Sequence, residues 1–162
     1  MEQNIHSFAV GASLVRGTFA AFLVKFRLDD NNELLTAWSR AQLPGLLRIC
    51  LDYQQELLSR GVVFNTFPIE RILREEAPQF TKRDVEHLPI ASIVENVSSV
   101  LRSDQKLIFT FKRATVAQPE LVVLAPNQCS LLIGSISQVQ EEYDDAWISD
   151  TSTSGQYQYS AI

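Results

Sequence analysis

The chain has 162 residues, 46% of them hydrophobic and 20% charged, with six Gly, six Pro, two Cys and a net charge of −5. Such a composition suits one core-forming domain and excludes a low-complexity or disulfide-built chain. No run approaches the roughly 18 consecutive apolar residues of a membrane span, and Met1-Glu2-Gln3-Asn4 lacks the basic and apolar regions of a secretory leader, so the reading is cytoplasmic.

From the N-terminus, Ile5 to Val15 is rich in small and β-branched residues and predicts a strand. Arg16-Gly17-Thr18 supplies a hairpin turn. Phe19 to Leu28 then alternates, with Phe22, Val24 and Phe26 on one side and Leu23, Lys25 and Arg27 on the other, as in a half-buried strand. Asp29-Asp30-Asn31-Asn32 reads as a turn, and Glu33 to Trp38 as a third strand.

A helix follows. Ser39 and Gln42 have the form of a capping box, and Leu43, Leu46, Leu47, Cys50, Tyr53 and Leu57 make one apolar stripe. Pro44 restricts the start to about Leu43 or makes the first turn irregular. Gly61 is the expected stop. Val62 to Leu88 is too apolar for a free linker: Glu70 with Arg74 and Arg71 with Glu75 are spaced for helical ion pairs, Pro78 ends that helix, and Thr81 with Asp84 can cap another.

The pattern then starts again. Ile90 to Leu101, Lys106 to Arg113 and Glu120 to Leu124 read as three strands, and Pro126 opens a helix. Ser13-Leu14-Val15-Arg16 is echoed by Ser99-Val100-Leu101-Arg102, and Gln42 by Gln128. The first helical stripe maps onto Cys129, Leu132, Ile133, Ile136, Val139 and Tyr143. These echoes imply an α+β fold made of an internally duplicated β-β-β-α unit with pseudo-twofold symmetry, each antiparallel strand set covered by a helix. Within a single domain, 1–162, the first repeat spans 5–60, a connecting segment 61–88, the second repeat 89–144 and an acidic, aromatic tail 145–162. Ile49, Leu51 and Leu58 predict that the first helix is buried on more sides than the second. The tail, from Ala146 on, reads as loosely structured.

Charge is unevenly placed. From residue 114 onward there is no Lys or Arg, while Glu120, Glu141, Glu142, Asp144, Asp145 and Asp150 are all acidic. With no nucleophile motif, metal spacing, phosphate loop or cofactor fingerprint, the expected role is non-catalytic: an acidic adaptor or inhibitor, of the immunity or anti-defence type, that binds a protein with a basic surface. Glu141, Glu142, Asp144, Asp145 and Asp150 would steer it, and Trp147, Tyr157 and Tyr159 would anchor it. Exposed edge strands offer a route to a homodimer.

Other readings are weighed beside that one. Arg16 and Arg102, at matching first turns, form a candidate anion contact. Lys25, Arg27, Lys106, Lys112 and Arg113, with Phe19 nearby, could line a sheet face for single-stranded nucleic acid, although the acidic balance disfavours it. A cleft between the repeats is a third place for a small ligand or an enzyme site. His6 and His87 lie apart without metal-ligand spacing. Cys50 and Cys129 fall on core-facing stripes, where free thiols are common.

Overall fold

The computed structural model describes residues 2–154, with side chains through residue 143. In chain order the elements are β1 (Glu2–Val15), β2 (Thr18–Leu28), β3 (Glu33–Trp38), α1 (Leu43–Ser59), α2 (Phe67–Glu76), α3 (Lys82–Glu86), β4 (Val94–Leu101), β5 (Leu107–Arg113), β6 (Glu120–Leu124) and α4 (Pro126–Ser154). The fold is mixed α+β, and all six strands join in one sheet of order β3-β2-β1-β6-β5-β4.

Each three-strand set is an antiparallel meander. The sets meet where β1 and β6 run parallel, Glu2 beside Leu121 through Asn4 beside Val123. The outer ends of that order also touch, through a single parallel bridge between Ala37 at the end of β3 and Ile93 just before β4. The sheet is therefore curled far enough for its first and last strands to meet.

The two sets use the same registers. Ile5 opposes Leu28 as Val94 opposes Arg113, and both ladders shift register immediately afterwards, between Ile5 and Ser7 and between Val94 and Asn96. Phe22 opposes Trp38 as Leu107 opposes Leu124. These pairs fix the correspondence: Phe8 answers to Val97, Phe26 to Phe111, and Ala12 to Leu101. Arg16 and Arg102 do not correspond. Arg102 answers to Ser13, because β1 and β2 run further before their turn than β4 and β5 do. The Ser-x-x-Arg echo is thus an accident of composition, three residues out of the strand register.

Alternation places Phe22, Val24 and Phe26 on the helix side of the sheet, with Phe109, Phe111, Val122 and Leu124 from the other set. Both helical stripes close on them, and Leu43, Leu46, Cys50, Tyr53, Leu57, Cys129, Leu132 and Ile136 are buried. Phe26 and Phe111, corresponding residues, stack on each other with centroids 5.8 Å apart, and Trp38 meets Phe111 edge-on at 5.6 Å.

The helix starts follow their sequence signals. Ser39 Oγ accepts from the Gln42 backbone N–H at 3.1 Å, and Gln42 Oε1 accepts from the Ser39 N–H at 3.1 Å. Pro44 is tolerated because α1 begins at Leu43. Thr81 and Asp84 form the expected capping box.

Four expectations need correction. The second set begins with a 3-10 turn over Ile90–Ser92 before β4, because Pro89 precedes it and β4 pairs only from Val94. The first helix is not buried all round: Leu58 is 55% exposed, since the connecting segment leaves α1 at Gly61 and packs against β1 instead. The expected ion pair Arg71 with Glu75 forms at 3.3 Å, whereas Glu70 does not pair with Arg74 and accepts from the Thr66 hydroxyl at 3.4 Å instead. Finally, the backbone stays helical through Ser154 rather than loosening at Ala146.

Because Phe111 is fully buried among three other aromatic rings, Phe111→Ala is expected to cost about 3–5 kcal/mol in urea unfolding. Phe67→Ala, at a 70% exposed position, should change stability by no more than about 0.5 kcal/mol.

Candidate functional site

The outer face of the first strand set is taken up by the chain itself. Phe80 lies over Gly11, where an added Cβ would stand 2.8 Å from its ring, and packs with Leu88 on Ala21, Leu23 and Ala37. Ser13 Oγ donates to the Val85 carbonyl at 2.8 Å and Ser7 Oγ to that of Glu76 at 2.9 Å. Each contact uses a small or hydroxyl-bearing residue on β1 to let α2 and α3 sit close.

Lys25 is drawn into this packing. Its side chain is 7% exposed, and its ammonium donates to Asp84 Oδ2 at 2.8 Å and to the Gln79 carbonyl at 3.0 Å. Arg27 is held by Glu33 and the Glu76 carbonyl, and Arg113 makes a two-pronged pair with Glu120 at 2.6 and 2.7 Å. Lys112 donates to the carbonyls of Arg113 and Val116 and lies 3.7 Å from Glu95. Phe19 turns inward onto Phe22 and Tyr143, with the Arg40 guanidinium 4.1 Å above its ring. Four of the five basic side chains proposed for a nucleic-acid face, Lys25, Arg27, Lys112 and Arg113, are thus already engaged, and they do not form one free surface with Phe19.

Arg16 caps the β1–β2 hairpin at a φ of 53°. Arg102 lies beyond β4, bonded to Asp104 and to Glu2 at the start of β1. The two arginines therefore stand at opposite ends of a 14-residue strand, β1. The Arg102 hydrogen bond holds the Asp104 carboxyl down at about 2.

A recess of about 270 Å³ opens where the starts of β1, β3 and β6 approach the ends of β2 and β5. Gln3, Asn32, Glu33, Arg113 and Glu120 give it polar walls, with Leu28, Leu34 and Leu121 between them. Both strand sets contribute, and its strongest polar pair, Arg113 with Glu120, is bonded to itself. Sequence reasoning expected a cleft between the repeats but named none of its walls, which come from five strand ends whose proximity only the sheet order determines.

The acidic end of α4 presents Glu141 and Glu142, both exposed. Tyr143 is partly buried against Phe19, and its carbonyl accepts from Arg40 at 3.4 Å. Asp144, Asp145, Trp147 and Asp150 lie on the helical backbone beyond it, while Tyr157 and Tyr159 lie outside the described residues. The anchoring role expected of the tyrosines therefore rests on sequence alone.

The remaining reactive groups are inward or engaged. Burial pushes the Cys129 thiol up to about 12, and burial together with the neighbouring Cys129 raises that of Cys50 further. Cys129 Sγ lies 3.3 Å from the Cys50 carbonyl. His6 Nε2 lies 3.2 Å from Glu76. Among the described residues no group of three His, Cys, Asp or Glu could hold a metal ion, and no helix is long and apolar enough to cross a membrane. No protein-family model, curated protein or solved structure matches the chain.

The Lys25–Asp84 pair makes a pH prediction. Burial disfavours the Asp84 charge, but the hydrogen bonds from Lys25 and the Thr81 N–H outweigh it, so its pKa lies below the ordinary value. The pair's contribution is then complete above the unfolded carboxylate value of about 4 and is lost as pH falls through the lower folded value. Asp84→Ala, which leaves the buried ammonium to Glu33 at 3.4 Å and the Gln79 carbonyl and opens the α3 capping box, should cost about 1–3 kcal/mol at neutral pH, and Lys25→Met with Asp84→Leu should recover the part that belongs to the pair. Equilibrium unfolding from pH 7 to 2 measures both.

Proposed function

We propose that this chain is a non-catalytic protein-binding module whose acidic α4 end meets a basic surface on its partner. The observation that carries this reading is the unequal length of the two helices. α1 spans 17 residues and is stopped by Gly61, whereas α4 spans 29. Ser59, the last residue of α1, answers to Asp145, so α4 continues for more than two turns past the point where its counterpart ends. Those turns add Asp150 to Glu141, Glu142, Asp144 and Asp145 just before them, and the helix has no Lys or Arg of its own. A uniform negative field on a projecting helix speeds the encounter with a cationic surface and orients it.

The body beneath is, on this reading, two copies of one β-β-β-α unit related by a pseudo-twofold axis running along the strands. Shared registers support it, as does one correspondence between the junctions. The pair Asn4 with Val123 answers to the bridge Ile93 with Ala37, and the bonds Asp29 N–H to Asn4 and Ala114 N–H to Ile93 answer to each other, at 3.0 and 2.8 Å. A rotation that carries β1, β2 and β3 onto β4, β5 and β6 preserves strand direction, as the parallel β1–β6 contact requires.

The recess walled by both sets favours a second reading, a small polar ligand held between the repeats. Its mixed lining is of the right kind, but its carboxylate and guanidinium are each other's partners. A ligand would have to match or displace that pair, which makes this the weaker reading.

Replacing Glu141, Glu142, Asp144, Asp145 and Asp150 together with their amides tests the main one. Exposed ion pairs contribute about 0.2–1 kcal/mol each, so the partner captured by the natural chain at low salt should bind the variant at least about tenfold more weakly. The natural chain should lose affinity similarly as salt rises. A partner held equally by both chains, and equally at high salt, would overturn the proposal.

A further inference from the structure

We propose that the free edge of β4 pairs with β4 of a second copy, antiparallel, about a twofold axis at Ser99. β4 ends the strand order, and its outer side is met only at the start, by the Ala37–Ile93 bridge and by Gln42 Nε2 donating to the Val94 carbonyl at 2.8 Å. Its counterpart β1 is packed by α2, α3 and α4, whereas the elements packed most closely on β4 among the described residues are β5, α1 and β3. From Asn96 to Leu101 the edge reads Asn-Val-Ser-Ser-Val-Leu, without charge or proline. Sheet proteins ordinarily guard such an edge with Lys, Pro or a covering element.

Self-pairing fits the side chains. Val97 and Leu101 are partly buried against the main core, and Val100 on the other face is 62% exposed. A twofold axis normal to a sheet passes between a residue and its own copy, since antiparallel partners are directly opposite. With that residue Ser99, Val97 of each copy lies opposite Leu101 of the other, extending both cores, and Ser98 lies opposite Val100. Symmetry selects the antiparallel sense, since a twofold axis normal to the sheet reverses strand direction and carries each face of the sheet on into the same face of the other copy.

The test uses the full chain. Its mass in sedimentation equilibrium should rise from 18.3 kDa toward twice that value with increasing concentration. Ser99→Cys should form a disulfide-linked dimer under mild oxidation much faster than Ser98→Cys, because only residue 99 faces its own copy; Cys50 and Cys129 are buried. Ser98→Lys with Val100→Lys sets ammonium groups opposite one another at exposed positions and should weaken the dimer at least about tenfold, with an unchanged circular dichroism spectrum. A monomeric mass up to about 100 μM, weaker than any dimer of use at cellular concentrations, would overturn the proposal. So would cross-linking of Ser98→Cys at the rate of Ser99→Cys, or a dimer indifferent to the two lysines.

Discussion

Each half of the molecule begins its helix with a glutamine whose amide works in two directions. Gln128 Oε1 accepts from the Ala125 backbone N–H at 2.8 Å, closing the turn between β6 and α4, while its Nε2 donates to the Ile5 carbonyl at 2.7 Å. Gln42 does the same between its own Ser39 N–H and the Val94 carbonyl. The local event, starting a helix, is thereby tied to a nonlocal one, seating the other half's first strand. Gln128 is 4% exposed, so an amide left without these partners would cost about 1–3 kcal/mol. The angle at which each helix enters the core, and so which apolar residues meet Phe26 and Phe111, follows from that double use.

The halves differ in what lies outside them. On the first, Gly11, Ser13 and Lys25 receive Phe80, Val85 and Asp84 of the connecting segment. The corresponding residues of the second are Val100, Arg102 and Thr110, which fit no such cover: a valine blocks the close approach that glycine permits, and no cation awaits an Asp. The buried Lys25–Asp84 pair is a weak source of net stability, because desolvation offsets most of its attraction. Its effect is to fix where the segment lies, since any other placement leaves Lys25 with only Glu33, at 3.4 Å, in place of the 2.8 Å bond to Asp84.

The sequence made the strands, turns and helical stripes legible because each is a local pattern. β3 and β6 have the bounds that alternation predicted, and all six residues of each stripe face the core side. The match between the two strand sets was misread at the first strands for a physical reason: hairpins can lengthen by matched residues on both arms without disturbing the core, so their tips carry no register information. Lys25 was placed on an open face since strand periodicity reports only which side a residue takes. What covers that side is set by a segment more than fifty positions away. The continuation of α4 past Ala146 was missed because its Ser and Thr residues have poor intrinsic helical preference, whereas the preceding packed turns supply the nucleus that short helices lack.

The two surfaces proposed for binding both belong to the second half, the uncharged edge of β4 and the acidic end of α4. Their counterparts in the first half are consumed internally: β1 is covered by α2, α3 and α4, and the end of α1 is turned by Gly61, at a φ of 73°, into the connecting segment. If the halves are copies, one inserted segment accounts for the division of labour. Having one cover for two equivalent faces, the chain completes the first half and leaves the second half without it, which is where both proposed contacts fall. Binding surfaces placed there need no departure from the packed core, because the registers and glutamine bonds that hold the halves together are the same on both sides.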